Sequence, residues 1–147
     1  MALKVVLDTN VLISGVIAAQ GPSARILEAV QRGDLRLITS AALLQEFSEV
    51  IVRPHIRDKY PQVAEHAEAL LDFLRVNASM VAGVPGEPVV TADPDDDMVL
   101  ACALEGDANY IVSGDPHLFS LVQHNGIPIL RPRQFVTTVL DLTPDTP

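Results

Sequence analysis

Four carboxylates, Asp8, Glu46, Asp97 and Asp115, are the side chains of this 147-residue chain that could do chemistry together. Ligand sets made only of oxygen select Mg2+ or Mn2+, whereas zinc prefers His and Cys, which this chain does not offer at metal-site spacing. A water made more acidic by such an ion can attack a phosphodiester, and a second ion can stabilise the leaving oxygen. The four acids therefore predict metal-dependent hydrolysis of phosphodiesters, provided that the fold brings them together.

Two of the acids follow short apolar runs of the kind that form strands buried on both faces of a parallel sheet. Asp8 comes directly after the run 4–7, and Asp115 comes soon after the run 110–112. Because strands joined through helices run parallel, both acids should emerge at the same edge of the sheet, where ligands bind in open α/β folds. A strand-end Asp also often caps the next helix, and for Asp8 both roles stay open.

Glu46 lies on a predicted helix over residues 41–52. The apolar residues of this helix have the three- and four-residue spacing of one buried face. At about 100° per residue, Glu46 falls on the rim of that face and Glu49 points away from it. Glu46 is therefore the acid of this helix that we expect to reach the crevice.

Asp97 ends the acidic run 93–97, which precedes an apolar run. Acids in a first helical turn suit the helix dipole, so most of the run has a structural explanation. Helical spacing puts Asp97 on the same side as Leu100 and Leu104, where Asp96 does not follow. A carboxylate on a buried stripe must be paired, protonated or bound to a cation, so Asp97 is the predicted ligand of this helix.

The rest of the chain alternates predicted strands and helices, which is typical of one α/β domain, here over residues 1–142. Further strands are predicted over 35–39, 80–82 and 126–130, and further helices over 23–31, 61–76 and 134–140. We expect the tail, residues 143–147, to be disordered.

Composition indicates the cellular compartment and the class of protein. The single cysteine, Cys102, cannot form an intrachain disulfide, which suits a reducing cytoplasm, and we expect it to be a small core residue. Asp8 and Asn10 interrupt the apolar N-terminus, which argues against a secretion signal, and no apolar stretch reaches the length of a membrane span. We therefore expect a soluble cytoplasmic protein.

The net charge of −9 argues at first against a nucleic acid partner, whose binding is driven by Lys and Arg. Divalent ions bound to a cluster of acids would offset part of that charge locally. The basic residues also bunch, in the segment 53–59 and at Arg131 and Arg133. The charge therefore does not exclude an RNA substrate.

Taken together, these residues resemble the PIN domain. The likeness rests on D-T-N at 8–10, on D-x-x-x-A-x-A-L beginning at Asp97 and on S-G-D at 113–115, in an order that covers nearly the whole chain. It implies a three-layer α/β/α fold with a five-stranded parallel sheet and a ribonuclease that depends on Mg2+ or Mn2+. The implied site residues are Asp8, Glu46, Asp97 and Asp115, with Asn10 and Ser113 supporting them.

The branch of the family that this chain resembles most comprises the VapC-like toxins of toxin-antitoxin pairs. The resemblance implies an RNA substrate, a small antitoxin protein as inhibitor and, as often in this branch, a homodimer. Relatives often carry a second acid two residues beyond the position of Asp115, where this chain has His117. Whether one or two metal ions bind is therefore open.

Two other functions compete with this interpretation. A phosphatase of the haloacid dehalogenase type also opens with an Asp after its first strand, but it needs a second Asp where this chain has Asn10. A catalytically inactive PIN-like fold could bind RNA or protein, yet an intact set of four acids argues against it, because clustered carboxylates repel one another. We therefore rank the ribonuclease first.

Overall fold

A sheet of six strands runs through the described part of the chain, residues 2–86 and 94–141, in this computed structural model. The strands are β1 (Leu3–Leu7), β2 (Leu35–Ser40), β3 (Ser79–Val81), β4 (Tyr110–Val112), β5 (Gln123–His124) and β6 (Ile127–Leu130), in the order β3-β2-β1-β4-β6-β5. All neighbours pair in parallel except β5, which pairs antiparallel with β6. The five predicted parallel strands are confirmed, and the short β5 adds an edge that the sequence did not predict.

The helices connect these strands, and those predicted over 23–31, 41–52 and 61–76 are present. They are α1 (Thr9–Ile17), α2 (Pro22–Arg32), α3 (Ala41–Ile51), α4 (Pro54–Arg57), α5 (Val63–Asn77), α6 (Pro94–Glu105), α7 (Pro116–Phe119) and α8 (Pro132–Phe135). One π-helical turn, Val136–Leu140, follows α8, so the last predicted helix is divided into two pieces.

The two faces of the sheet bury separate apolar cores. Side chains alternate along a strand, so Val5 and Leu7 of β1 belong to one core and Val6 to the other. The first core packs against α1, α2, α3 and α5, and the second packs against α6 and α7. The predicted three-layer α/β/α fold is confirmed.

Local chemistry sets where α2 ends and α3 begins. Gly33 adopts a φ of 85°, a left-handed conformation that costs glycine little, and its N–H bonds back to the end of α2. The hydroxyl of Ser40 accepts the N–H of Leu43 at 3.2 Å, which caps the start of α3. Because β2 leads directly into that cap, α3 starts at the edge of the sheet where β1 also ends, and Glu46 lies in its second turn.

Some predictions fall on other parts of the chain. The proposed N-cap Asp93 and the tail 143–147 lie outside the described residues. Cys102 is buried in the second core, as predicted. Within 2–86 and 94–141, no helix combines the length and the apolar character that crossing a bilayer requires.

Candidate active site

Asp8 lies at the carboxyl end of β1 and is almost completely buried, with 5% of its surface exposed. Its N–H donates to the carbonyl of Val112 on β4, which continues the pairing of the two strands. Its Oδ1 accepts the N–H of Val11 at 2.9 Å and so caps α1. The capping role is therefore observed, and the other carboxylate oxygen of Asp8 faces Ser113.

Ser113 holds the two strand-end acids together. It is fully buried, and its hydroxyl donates to Oδ2 of Asp8 and accepts the N–H of Asp115 at 3.0 Å. Its own N–H donates to the carbonyl of Leu130 on β6 at 3.0 Å. A single hydroxyl thus orients Asp8 and the backbone of Asp115 relative to each other.

Glu46 reaches the same place from α3. It is half-buried, and its Oε2 accepts the hydroxyl of Thr9 at 3.1 Å. Thr9 is buried and directly follows Asp8, so the bond ties α3 to the start of α1. The sequence predicted Glu46 at the crevice but did not anticipate Thr9 as the residue that orients it.

The acid that α6 brings to the cleft is Asp96, whereas the sequence placed Asp97 there. Both are buried, but only Asp96 is among the residues that line the cleft. The buried residues of the helix are Val99, Leu100, Cys102 and Ala103, while Leu104 is 41% exposed. The buried face of this helix is therefore shifted by one residue relative to the prediction. Asp96 belongs to it, because it lies three residues before Val99 and four before Leu100. The prediction had used Leu104, which is exposed, to define the inward side of the helix.

These residues enclose a small open cleft at the carboxyl edge of the sheet. Its cavity volume is about 40 Å³, room for an ion and a few waters, since one water needs about 10–15 Å³. The lining residues are Asp8, Thr9, Asn10, Glu46, Asp96, Val99 and Asp115. Four elements, β1, α3, α6 and the loop after β4, thus deliver one carboxylate each.

His117 adds a nitrogen donor on the exposed side of the cleft. Its Nδ1 lies 3.3 Å from Oδ1 of Asp115, and its N–H donates to the same oxygen at 2.7 Å. Donor atoms of Asp96, Asp115 and His117 all lie within 4.8 Å of one another. The sequence had singled out His117 only as a departure from the family pattern.

When no cation is bound, the charged form of Asp8 is unfavourable in this cleft. Burial raises the pKa of the Asp8 carboxyl above its usual value, and the negative charge of Asp115 adds to the increase. The hydrogen bonds from Ser113 and from the backbone of Val11 act in the opposite direction. Burial prevails, so the folded protein binds a proton at Asp8 more tightly than the unfolded chain does.

The donor set fits a hard divalent cation. Carboxylate oxygens are the ligands that Mg2+ and Mn2+ prefer, and a single ion needs only some of its positions filled by protein. Asp96 and Asp115 offer oxygens at a separation that one ion can bridge, with Asp8 fixed beside them by Ser113. The residues present therefore fit such an ion.

Comparison with known proteins shows which family the chain is similar to. A family model described as "PIN domain" matches residues 4–117, a range that contains all four lining acids. An uncharacterised protein of Methanocaldococcus jannaschii is 30% identical over 123 residues, which make up 84% of this chain and 77% of that protein. The family match therefore covers every residue that lines the cleft.

A solved structure shares the fold. It is the crystal structure of VapBC2 from Rickettsia felis bound to a DNA fragment from their promoter, of which one chain superposes with a TM-score of 0.57. The match covers 88% of this chain and 98% of that chain at 13% identity. At that identity the likeness supports the fold alone.

Proposed function

The chain belongs to the PIN domain family, and on that premise we propose that it is a metal-dependent ribonuclease that hydrolyses RNA phosphodiester bonds. The observation that carries the proposal is the meeting of Asp8, Glu46, Asp96 and Asp115 in one cleft. Clustered carboxylates repel one another, so a fold that assembles four of them gains most if a cation occupies the cleft.

We propose Mg2+ or Mn2+ as the cofactor, held by Asp8, Asp96 and Asp115. When bound, the ion supplies an acidified water as nucleophile and stabilises the developing charge on the leaving oxygen. Asp96 takes the ligand position that the sequence assigned to Asp97, and a role of Asp97 as a ligand stays a prediction.

The other residues of the cleft position these groups. Ser113 donates to Oδ2 of Asp8 and accepts the N–H of Asp115, so it fixes the two strand-end acids relative to each other. In this proposal Glu46, oriented by the hydroxyl of Thr9, accepts a proton from the attacking water. Asn10 lines the cleft from the first turn of α1 and is exposed, so its amide can contact the substrate.

The decisive experiment is a cleavage assay on a mixture of RNAs, with and without Mg2+ or Mn2+. We expect cleavage only with the metal, abolished in Asp8→Asn and strongly reduced in Glu46→Gln. The matched control is Glu49→Gln, because Glu49 is an exposed acid on the same helix and does not line the cleft. Undiminished cleavage in excess chelator would refute the metal mechanism, and RNA binding without cleavage would favour an inactive binding module.

We further propose that the protein acts in the cytoplasm as the toxin of a toxin-antitoxin pair, with a small antitoxin protein as its inhibitor and with homodimer formation. The proposal starts from the shared fold, because a solved chain with this fold belongs to a VapBC2 complex. An inhibitor of such a cleft needs mainly to deliver Arg or Lys, whose charge can replace the metal. Expressed alone, the wild-type chain should slow the growth of its host, whereas Asp8→Asn should be tolerated and still capture the partner. Equal toxicity of both chains would refute the toxin role.

A further inference from the structure

We propose that Arg131, stacked on Phe119, binds a phosphate of the RNA strand next to the acidic cleft. The inference rests on the proposed ribonuclease function and names the group that would hold the substrate backbone there. A phosphate approaching four carboxylates meets repulsion, and the chain as a whole carries a net charge of −9. A positioned cation beside the cleft is therefore what an RNA substrate needs most.

The sheet places Arg131 at the edge that carries the acids. Strand β6 lies next to β4, and the carbonyl of its last residue, Leu130, accepts the N–H of Ser113 at 3.0 Å. The hydroxyl of that same Ser113 contacts both Asp8 and Asp115. Because Arg131 directly follows Leu130, it leaves the sheet one strand away from the cleft and on the same side.

The partner of Arg131 comes from the helix that begins at the cleft. Asp115 starts α7, and its carbonyl accepts the N–H of Phe119 at 2.9 Å, one turn further along. The guanidinium carbon of Arg131 lies 4.4 Å from the centroid of the Phe119 ring. Strand β6 thus positions the guanidinium of Arg131, and the helix that starts at Asp115 positions the ring on which it stacks.

The state of Arg131 suits a ligand of opposite charge. It is exposed, and no carboxylate within the described ranges forms an ion pair with it, whereas Arg25, Arg32 and Arg75 each pair with at least one. Stacking on a ring restricts the guanidinium without consuming the N–H donors at its edge, which match the oxygens of a phosphate. The side chain is thereby oriented before the substrate arrives.

The proposal is tested by RNA binding in the Asp8→Asn background, where the strand is not cut. Fluorescence anisotropy with a short single-stranded RNA is measured with Mg2+ at about 50 to 200 mM salt. We expect Arg131→Ala to lower the affinity about tenfold at the low end and to reduce the salt slope by about 0.7, the value for one phosphate contact with a single strand. Arg131→Lys should keep the slope, because it keeps the charge.

Two further variants separate this role from a structural one. Phe119→Leu should weaken binding with the slope retained, since it removes the stacking but not the charge. Arg75→Ala, which removes an exposed Arg on α5, should change neither quantity. With Asp8 restored, Arg131→Ala should raise KM more than it lowers kcat.

Three results would overturn the proposal. If Arg131→Ala lowers the melting temperature but leaves RNA affinity and salt slope unchanged, the stacked pair only ties α7 to α8. If it leaves RNA binding intact but releases a co-expressed small protein, the surface belongs to that partner. If the Asp8→Asn protein with Arg131 intact binds no RNA at any salt concentration and the wild type cleaves none, the ribonuclease function itself fails, and this inference fails with it.

Discussion

Replacing Asp96 with Asn should weaken metal binding, while the neighbouring change Asp97→Asn should leave it nearly intact. Both side chains are buried, at 4% and 8% exposure, so their environments are matched in solvent access. Only Asp96 lines the cleft and has its donor atoms within 4.8 Å of those of Asp115 and His117. Comparing the two variants therefore separates the loss of a metal ligand from the effect of changing a buried carboxylate.

The size of the effect follows from linkage between binding and folding. Mn2+ at 100 times its dissociation constant should stabilise the wild type by about 2.7 kcal/mol. If loss of the Asp96 carboxylate weakens binding about 10- to 100-fold, the same Mn2+ concentration stabilises the variant by only about 1.4 to 0.4 kcal/mol. At about 2 to 4 °C per kcal/mol, the melting temperature should rise by about 5 to 11 °C in the wild type and by about 1 to 6 °C in Asp96→Asn.

The assay is thermal unfolding of the initially metal-free proteins at increasing Mn2+ concentration, monitored by circular dichroism. Calorimetric titration of the folded proteins measures the metal affinity directly. Asp97→Asn should follow the wild type. A full metal-induced shift in Asp96→Asn together with a reduced shift in Asp97→Asn would show that the ligand is Asp97.

Three more predictions concern pH, metal preference and backbone strain. Burial raises the pKa of Asp8 in the folded state, so the protonated form stabilises the metal-free protein at low pH, and this stability is lost as pH rises through the folded pKa. Asp8→Asn should therefore be more stable than wild type at pH 7 and lose this advantage on acidification in urea unfolding; a pH-independent difference would contradict it. His117→Ala should weaken Co2+ binding more than Mg2+ binding in calorimetric titrations, because imidazole favours later transition metals; equal losses would show that His117 is not a ligand. Val122 is 70% exposed and holds a φ of 66°, so Val122→Asn should stabilise the protein by about 1 kcal/mol, while the control Val76→Asn, in helix α5, should not; equal effects would argue against strain at Val122.

The sequence by itself determined the layers and the position of most of the site. Apolar runs without polar alternation can only be buried on both faces, so β1 and β4 had to be inner strands of a parallel sheet. Parallel connection then requires Asp8 and Asp115 to leave the sheet at one edge. The rim position of Glu46 followed equally from the 3.6-residue period of α3. These conclusions depend on local periodicity and chain direction, which a sequence carries directly.

Only the tertiary structure decided which acid of α6 lines the cleft and how the acids are held. On that helix Asp96 and Asp97 are adjacent, about 100° apart around the axis. Because Leu104 is apolar, the sequence allows an apolar inner face with either acid on it. Packing against the sheet resolved it, since Cys102 and Ala103 are buried there and Leu104 is 41% exposed. Likewise the hydroxyl of Ser113 bonds to the side chain of Asp8, which lies 105 positions earlier in the chain. Helix rotation and contacts across such distances depend on how neighbouring surfaces fit, and no local pattern in the sequence encodes that fit.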